Sequence, residues 1–318
     1  MTTRFIHGLE QFPKADPGST VVTIGTFDGI HRGHRAIFQR VRAVAEEKNL
    51  RPVLITFHPH PRMVVTPDNV PMLLTTIEEK GKFVPHFFDG SVLVLEFNKA
   101  LMNLTAEEFV RQVLVDAVGV KHLVVGYDHG LGKNRSGTAA ELRRLGDEIG
   151  FKVEVVGPIE HNGILVSSTK IRQAMTGGRY SEALDLLGHD YAIYGRVEKG
   201  IGIGGRKLGC PTANVKYSHR KLLPPEGVYA CWAQIGREEK HGMMFIGQNH
   251  FNPVERLSVE ANLFDFDRDI YDEEIMVYPT HFLRNNRKFE RLDDLARQLD
   301  QDKKNVIEII AKGERTCR

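Results

Sequence analysis

The chain is short of several things, and each shortage narrows what it can be. Cysteine is scarce: among 318 residues only Cys210, Cys231 and Cys317 occur, an odd number with no CxxC spacing. A disulfide framework and a thiolate zinc cluster are therefore not expected, and the usage fits a reducing compartment. Long apolar runs are missing too. Stretches such as SVLVLEF, residues 91–97, fall far below the roughly 20 residues needed to span a bilayer, and MTTRFIHGLEQFPKADPG at the N-terminus lacks the apolar centre of a signal peptide. A soluble, cytoplasmic protein with no membrane partner is the expectation. Charge of one sign is not in excess either, with 43 Lys+Arg against 41 Asp+Glu and no long basic run, so no nucleic-acid partner is expected. Internal repeats and low-complexity tracts are also absent, and nothing in the composition fixes an oligomeric state.

What is present suggests two domains, since single cores rarely grow beyond about 250 to 300 residues. Up to residue 187 short apolar runs alternate with helical patterns. Strands are predicted at 21–25, 53–57, 91–97, 122–126 and 153–156, and helices at 35–48, 105–117 and 138–149, an order that implies a parallel sheet covered by helices. Thr105 with Glu108 marks a capping-box start, and STKIRQAMTGGRYSEALDLLG reads as two short helices broken at Gly177 and Gly178. After Gly188 the texture changes to β-branched and aromatic runs between glycine-rich turns, which predicts an antiparallel β unit. Leu292, Leu295, Leu299, Val306, Ile307, Ile309 and Ile310 recur near helical spacing and predict a closing helix. The border is expected near 185–190, giving domains 1–187 and 188–318.

Chemistry concentrates first in GTFDGIHRGHRAIF, residues 25–38. Val21, Val22 and Ile24 precede it as a buried strand, and Ile37, Val41, Val44 and Ala45 follow at helical spacing. His31 and His34 therefore sit at a strand-to-helix turn, where free N–H groups and the helix dipole attract phosphates. Gly29 and Gly33 permit close approach of a ligand. A second site is GIGIGGRKLGCPTANV, residues 200–215. It has the letters of GxGxxG but runs into Arg206, Lys207 and Pro211 rather than a helix, so it is not a dinucleotide fingerprint. A glycine loop with two cations remains, followed by Thr212 and Asn214, whose hard oxygens suit Mg²⁺ shared with nucleotide phosphates.

GxFDGxHxGH resembles the nucleotidyltransferase signature, and VSSTKIR, residues 166–172, is similar to that family's second ATP motif. Alone, SSTKIR would be an ordinary helix N-cap. Class I aminoacyl-tRNA synthetases share loose forms of both motifs, but the chain has no KMSKS-type loop and no basic anticodon domain. TFHPHPR, residues 56–62, resembles the flavin segment of prokaryotic FAD synthetases. GRKLGCPTANV resembles the GRxLGxPTANL signature of riboflavin kinases, with LLPPEGVYA and VEANLFDFDRDIY similar to the next two segments in the same order. Together they are similar to the bifunctional prokaryotic riboflavin kinase/FAD synthetases over nearly the whole length.

The resemblance implies an α/β protein. Its N-terminal domain would be Rossmann-like, a doubly wound parallel sheet, and its C-terminal domain a Greek-key antiparallel β-barrel with a terminal helix. It implies phosphorylation of riboflavin by ATP to FMN, then adenylylation of FMN to FAD, with Mg²⁺. His31, His34 and Arg172 would act in adenylyl transfer and Glu260 as base in the kinase. ATP would be held by Gly25, Phe27, Asp28, Gly33, Asp128, Ser167, Ser168 and Thr169 in one half and by Gly200, Gly202, Gly205, Arg206 and Lys207 in the other. Phe57, His58, Pro59, Pro61 and Arg284 would border flavin, and Thr212 and Asn214 would hold the metal. The chain departs from the family pattern at His129, Leu131, Asn262, Asp272 and Asn286. The alternatives are a chain that keeps one activity, FAD synthesis before the kinase, and a flavin-binding regulator that keeps neither.

Overall fold

Strands β2 (Thr20–Ile24), β3 (Arg51–His58) and β4 (Ser91–Glu96) are nearly continuous apolar runs because they lie inside a parallel sheet covered on both faces. The computed structural model describes residues 3–199, 212–248 and 257–313. Contacts divide the chain into two units, Met1–Met72 with Lys80–Ser167, and Leu73–Glu79 with Ser168–Arg318.

In the first unit β1 (Arg4–His7), β5 (Val120–Gly126) and β6 (Lys152–Val156) complete a six-stranded sheet of order β1-β4-β3-β2-β5-β6. All its ladders are parallel. The predicted strands are all present, and β1, which was not predicted, adds an edge beside β4. Helix α1 (Arg32–Lys48) buries Ile37, Phe38, Val41 and Val44. On the core of Val22, Ile55, Leu93 and Leu123 lie Phe109 and Leu114 of α5 (Ala106–Phe109, running on with π-type bonding to Ala117) and Leu142 and Leu145 of α6 (Ala139–Ile149). The capping box at Thr105 is made in full, with Thr105 N–H on Glu108 and Glu108 N–H on the Thr105 hydroxyl. Short helices α2 (Arg62–Val65), α3 (Ile77–Phe83) and α4 (Lys99–Asn103) connect these elements, and a small ribbon pairs β7 (Glu160–His161) with β8 (Ile164–Leu165). After β2 the chain moves outward through β3 and β4, then returns to place β5 on the other side of β2. The carboxyl ends of β2 and β5 thus flank the switch point at which such sheets bind ligands.

The second unit is a closed antiparallel barrel of β9 (Ile193–Glu198), β10 (Ala213–Tyr217), β11 (Gly227–Ile235), β12 (Glu238–Gly247), β13 (Ser258–Leu263) and β14 (Glu274–Arg284), in the order β10-β13-β12-β11-β14-β9. β10 skips its sequence neighbour β11 and pairs with β13, which makes the Greek-key return. β10, short and next to the glycine run, was not singled out as a strand. Helices α7 (Ser168–Thr176) and α8 (Tyr180–Leu187) break at the glycine pair as predicted. Contacts group both with the barrel, because Tyr180 donates to Pro279 O at 2.7 Å and its ring meets Tyr229 edge-on.

Residues 73–79 also belong to this unit. Leu73 bridges Lys221, whose ammonium donates to Leu74 O at 2.7 Å and to Glu79 Oε2 at 2.8 Å and lies 3.9 Å from the Tyr191 ring centroid. Both charged side chains are buried, at 2% and 1% exposure. The closing helix α9 (Leu292–Ala311) packs through Val306, Leu299 and Ile309. Ile307 and Ile310, expected in that seam, are 49% and 38% exposed. The helix is held partly by a buried carboxylate, Asp302, so fewer apolar positions face inward. No described helix is long and apolar enough to cross a membrane.

Candidate active sites

The turn after β2 is built under strain. Phe27, Gly29 and Ile30 take φ values of 46°, 91° and 44°, and Ile30 is β-branched and fully buried. Each non-glycine residue held so costs on the order of 1–3 kcal/mol and persists only where its surroundings enforce it. His31 is the N-cap of α1, its Nδ1 accepting from His34 N–H at 3.4 Å. An Nδ1 that accepts has a lone pair there, so the neutral ring carries its proton on Nε2 as a donor for an anion. The two imidazoles stack with centroids 3.6 Å apart. A Cβ on Gly33 would stand 3.2 Å from the His31 ring, so glycine there leaves room for the stack.

Phe27 is buried edge-on against His34 and Phe38, and Gly25 donates to Ile55 O, at a place where a side chain would press on the Phe27 ring. Asp28 is buried. At the end of β5, Asp128 is exposed and its carbonyl accepts from Arg135 at 2.7 Å. Beside it His129 Nε2 is buried with no hydrogen-bond partner among the described residues. Burial, helped by Arg135, pushes this imidazole down to about 4, so it is neutral at ordinary pH. Leu131 belongs to the core of the unit. Phe57 packs edge-on against Phe97, and His58, Pro59 and Pro61 follow in the partly exposed stretch before α2. Ser167 ends the first unit, while Ser168, Thr169 and Arg172 open α7 in the second.

One residue of this site went unpredicted. Lys80, buried in α3, donates to Thr26 O. The signal for its helix was legible: Thr76 and Glu79 form a reciprocal capping box, at 2.9 and 3.3 Å.

In the barrel, β10 and β13 pair so that Asn214 lies directly opposite Glu260. Val259 and Ala261 face the barrel core and Glu260 alternates to the other face, half-buried beside Phe245 of β12. Burial pushes the Glu260 carboxyl above its ordinary value. Thr212 stands two residues before Asn214, and among the described residues no protein group hydrogen-bonds to either side chain. A hydroxyl and a carboxamide left open beside a carboxylate fit a hard divalent cation. Gly200, Gly202, Gly205, Arg206 and Lys207 lie outside the described residues. The Arg284 guanidinium, expected at the flavin, is clamped by Asp302 of α9, with Nη2–Oδ2 at 2.7 Å and Nε at 3.1 and 3.0 Å.

Two family descriptions match the chain, FAD synthetase over residues 13–170 and riboflavin kinase over residues 187–310. The bifunctional riboflavin kinase/FMN adenylyltransferase of Escherichia coli K12 is 35% identical over 300 residues, 94% of each chain. This chain belongs to that family. The Pseudomonas fluorescens member is 37% identical, covering 94% of this chain and 95% of its own, and the Bacillus subtilis member 33%, covering 92% and 93%. A crystal structure described as a macrolide-efflux protein from Streptococcus pneumoniae has the same fold, with TM-score 0.82, 31% identity and coverage of 96% and 98%. Asp272, one of the departures named above, takes a φ of 62°. Aspartate tolerates that conformation better than most residues. Asn286, another of them, donates to Ile246 O at 2.9 Å.

Proposed function

We propose that the barrel unit transfers the γ-phosphoryl group of ATP to the 5′-hydroxyl of riboflavin, and that the sheet unit then joins FMN to the adenylyl group of a second ATP. The observation that carries this reading is the register of Asn214 opposite Glu260 in a chain matching bifunctional relatives over 94% of its length. An alkyl hydroxyl is almost fully protonated at neutral pH, so its attack benefits from a positioned carboxylate. Glu260 takes the 5′-hydroxyl proton as the oxygen attacks the γ-phosphorus, and ADP leaves. Burial makes this carboxylate a stronger base than an exposed one. Thr212 and Asn214 would hold Mg²⁺, which supplies charge neutralisation on the phosphates when bound.

The second reaction needs no base, because the FMN phosphate, with a second pKa of about 6, is already anionic. Its oxygen attacks the α-phosphorus of ATP and pyrophosphate leaves. What the sheet unit contributes is alignment and donors, namely His31 Nε2–H, His34 and the N–H groups of the turn. Phe57, His58, Pro59 and Pro61 border the flavin. The functional domains in this reading are 1–187 and 188–318, acting on riboflavin, FMN and ATP in the cytoplasm.

Incubating the purified protein with riboflavin, ATP and Mg²⁺ and separating the flavins tests the reading. FMN followed by FAD is the expected result. FAD from supplied FMN but no FMN from riboflavin would leave only the synthetase, and no turnover of either would leave a binding protein.

A further inference from the structure

Lys80 is a buried ammonium, 6% exposed, that neither reaction above employs. It belongs to the first unit, and its Nζ donates to Thr26 O at 2.5 Å. The same oxygen accepts from the Thr56 hydroxyl of β3 at 3.3 Å. Burial pushes the Lys80 ammonium below its ordinary pKa, and the charge of Asp28, buried two residues beyond Thr26, acts against that. Both groups therefore engage the strained turn that ends in His31 and His34.

A trans peptide is planar, so fixing the carbonyl of Thr26 also fixes the N–H of Phe27, which points the opposite way. Among the described residues no acceptor takes that N–H. Two donors from separate elements thus hold the inner side of the peptide plane and turn its N–H away from them. A buried carboxylate such as Asp28 also needs a compensating charge, without which the group is strongly destabilising. Lys80 meets both needs with one side chain, and the turn keeps its positive φ values only while something holds it.

We propose that Lys80 is a positioning residue for adenylyl transfer, fixing the Thr26–Phe27 peptide and balancing Asp28 so that the turn's N–H groups and the His31–His34 pair meet the triphosphate already ordered. This rests on the assignment of that turn to ATP, and the test separates the two.

Full-length Lys80→Met and Lys80→Gln are compared with His34→Ala for kcat and KM in FAD formation from FMN, for FMN binding by flavin fluorescence, and for melting temperature. Lys80→Met lowers kcat by about 10²-fold, the size of effect expected when reacting groups lose alignment, while FMN still binds. Lys80→Gln, which keeps a donor for Thr26 O without the charge, falls between. If His34→Ala loses FAD formation and Lys80→Met keeps wild-type kcat, the role of Lys80 is overturned and the ATP site stands. If His34→Ala is fully active, the assignment of the turn fails and the proposal with it. Loss of FMN binding in step with activity makes Lys80 merely structural and also overturns the proposal. Should Lys80→Met fail to fold, Thr56→Val removes the second donor to the same carbonyl: a lowered kcat with FMN bound supports the proposal, and an unchanged kcat overturns it.

Discussion

Gly33 stands where any side chain would press on the His31 ring, at 3.2 Å from a built Cβ. Alanine inside a helix ordinarily gains about 1 kcal/mol over glycine, so Gly33→Ala is expected to melt no lower than the parent while losing FAD formation by roughly tenfold through displacement of the stacked imidazole. FMN formation stays as it was, and assaying the two products separately checks this. Glu260 gives the complementary result. Glu260→Gln keeps the shape and removes the proton acceptor, so FMN formation falls by about 10² to 10⁴ and FAD formation from supplied FMN does not change. Because burial favours its neutral acid, Glu260 becomes a base at higher pH than an exposed glutamate does. The kinase rate therefore climbs with pH through that raised value, and Glu260→Gln abolishes this limb. The side on which Glu260 lies was legible from the alternation around it, with Val259 and Ala261 buried. Lys80 was not legible. In the string EEK a lysine looks like a solvated charge, and only tertiary contact with a turn 54 residues away in sequence buries it.

Elements were readable where their apolar period was long and local. The five predicted strands of the sheet and its three long helices carry their own signal. β1 and β10 do not: each is 4 or 5 residues long and depends on a partner from distant sequence, β1 on β4 and β10 on β13. The segment that opens α3 is a third case, since its role depends on a partner 142 residues on. Glu79 accepts from Lys221 and from the N–H groups of Thr76 and Tyr194. Burial pushes its carboxyl up and these donors pull against that. Removing one member leaves a buried charge uncompensated, so Glu79→Leu and Lys221→Met are each expected to destabilise by about 3–5 kcal/mol, whereas the double variant loses far less. Chemical denaturation of the four proteins of that cycle measures the difference, and additive losses would contradict the pairing.

At the scale of the whole molecule, function and packing divide the chain differently. Family matches run to 170 and resume at 187, whereas contacts give the barrel residues 73–79 and everything from 168. A fragment of residues 168–318 lacks Glu79 and keeps Lys221. Lys221→Met should therefore cost the full chain more than the fragment, because the full chain is left with a buried, uncompensated Glu79 and the fragment has no Glu79 to strand. Denaturation midpoints of both pairs decide it, and an equal loss in both would show that Glu79 is not what compensates Lys221. The ring of strands has a consequence of its own. In the sheet β1 and β6 have one neighbour each, but every strand of the barrel has two, so none can peel away without breaking two ladders. In deuterium the amides of β1 and β6 should wash out early and singly, while those at the centre of β11 and β12 should wait for the barrel to open as a whole and then exchange together at one slow rate.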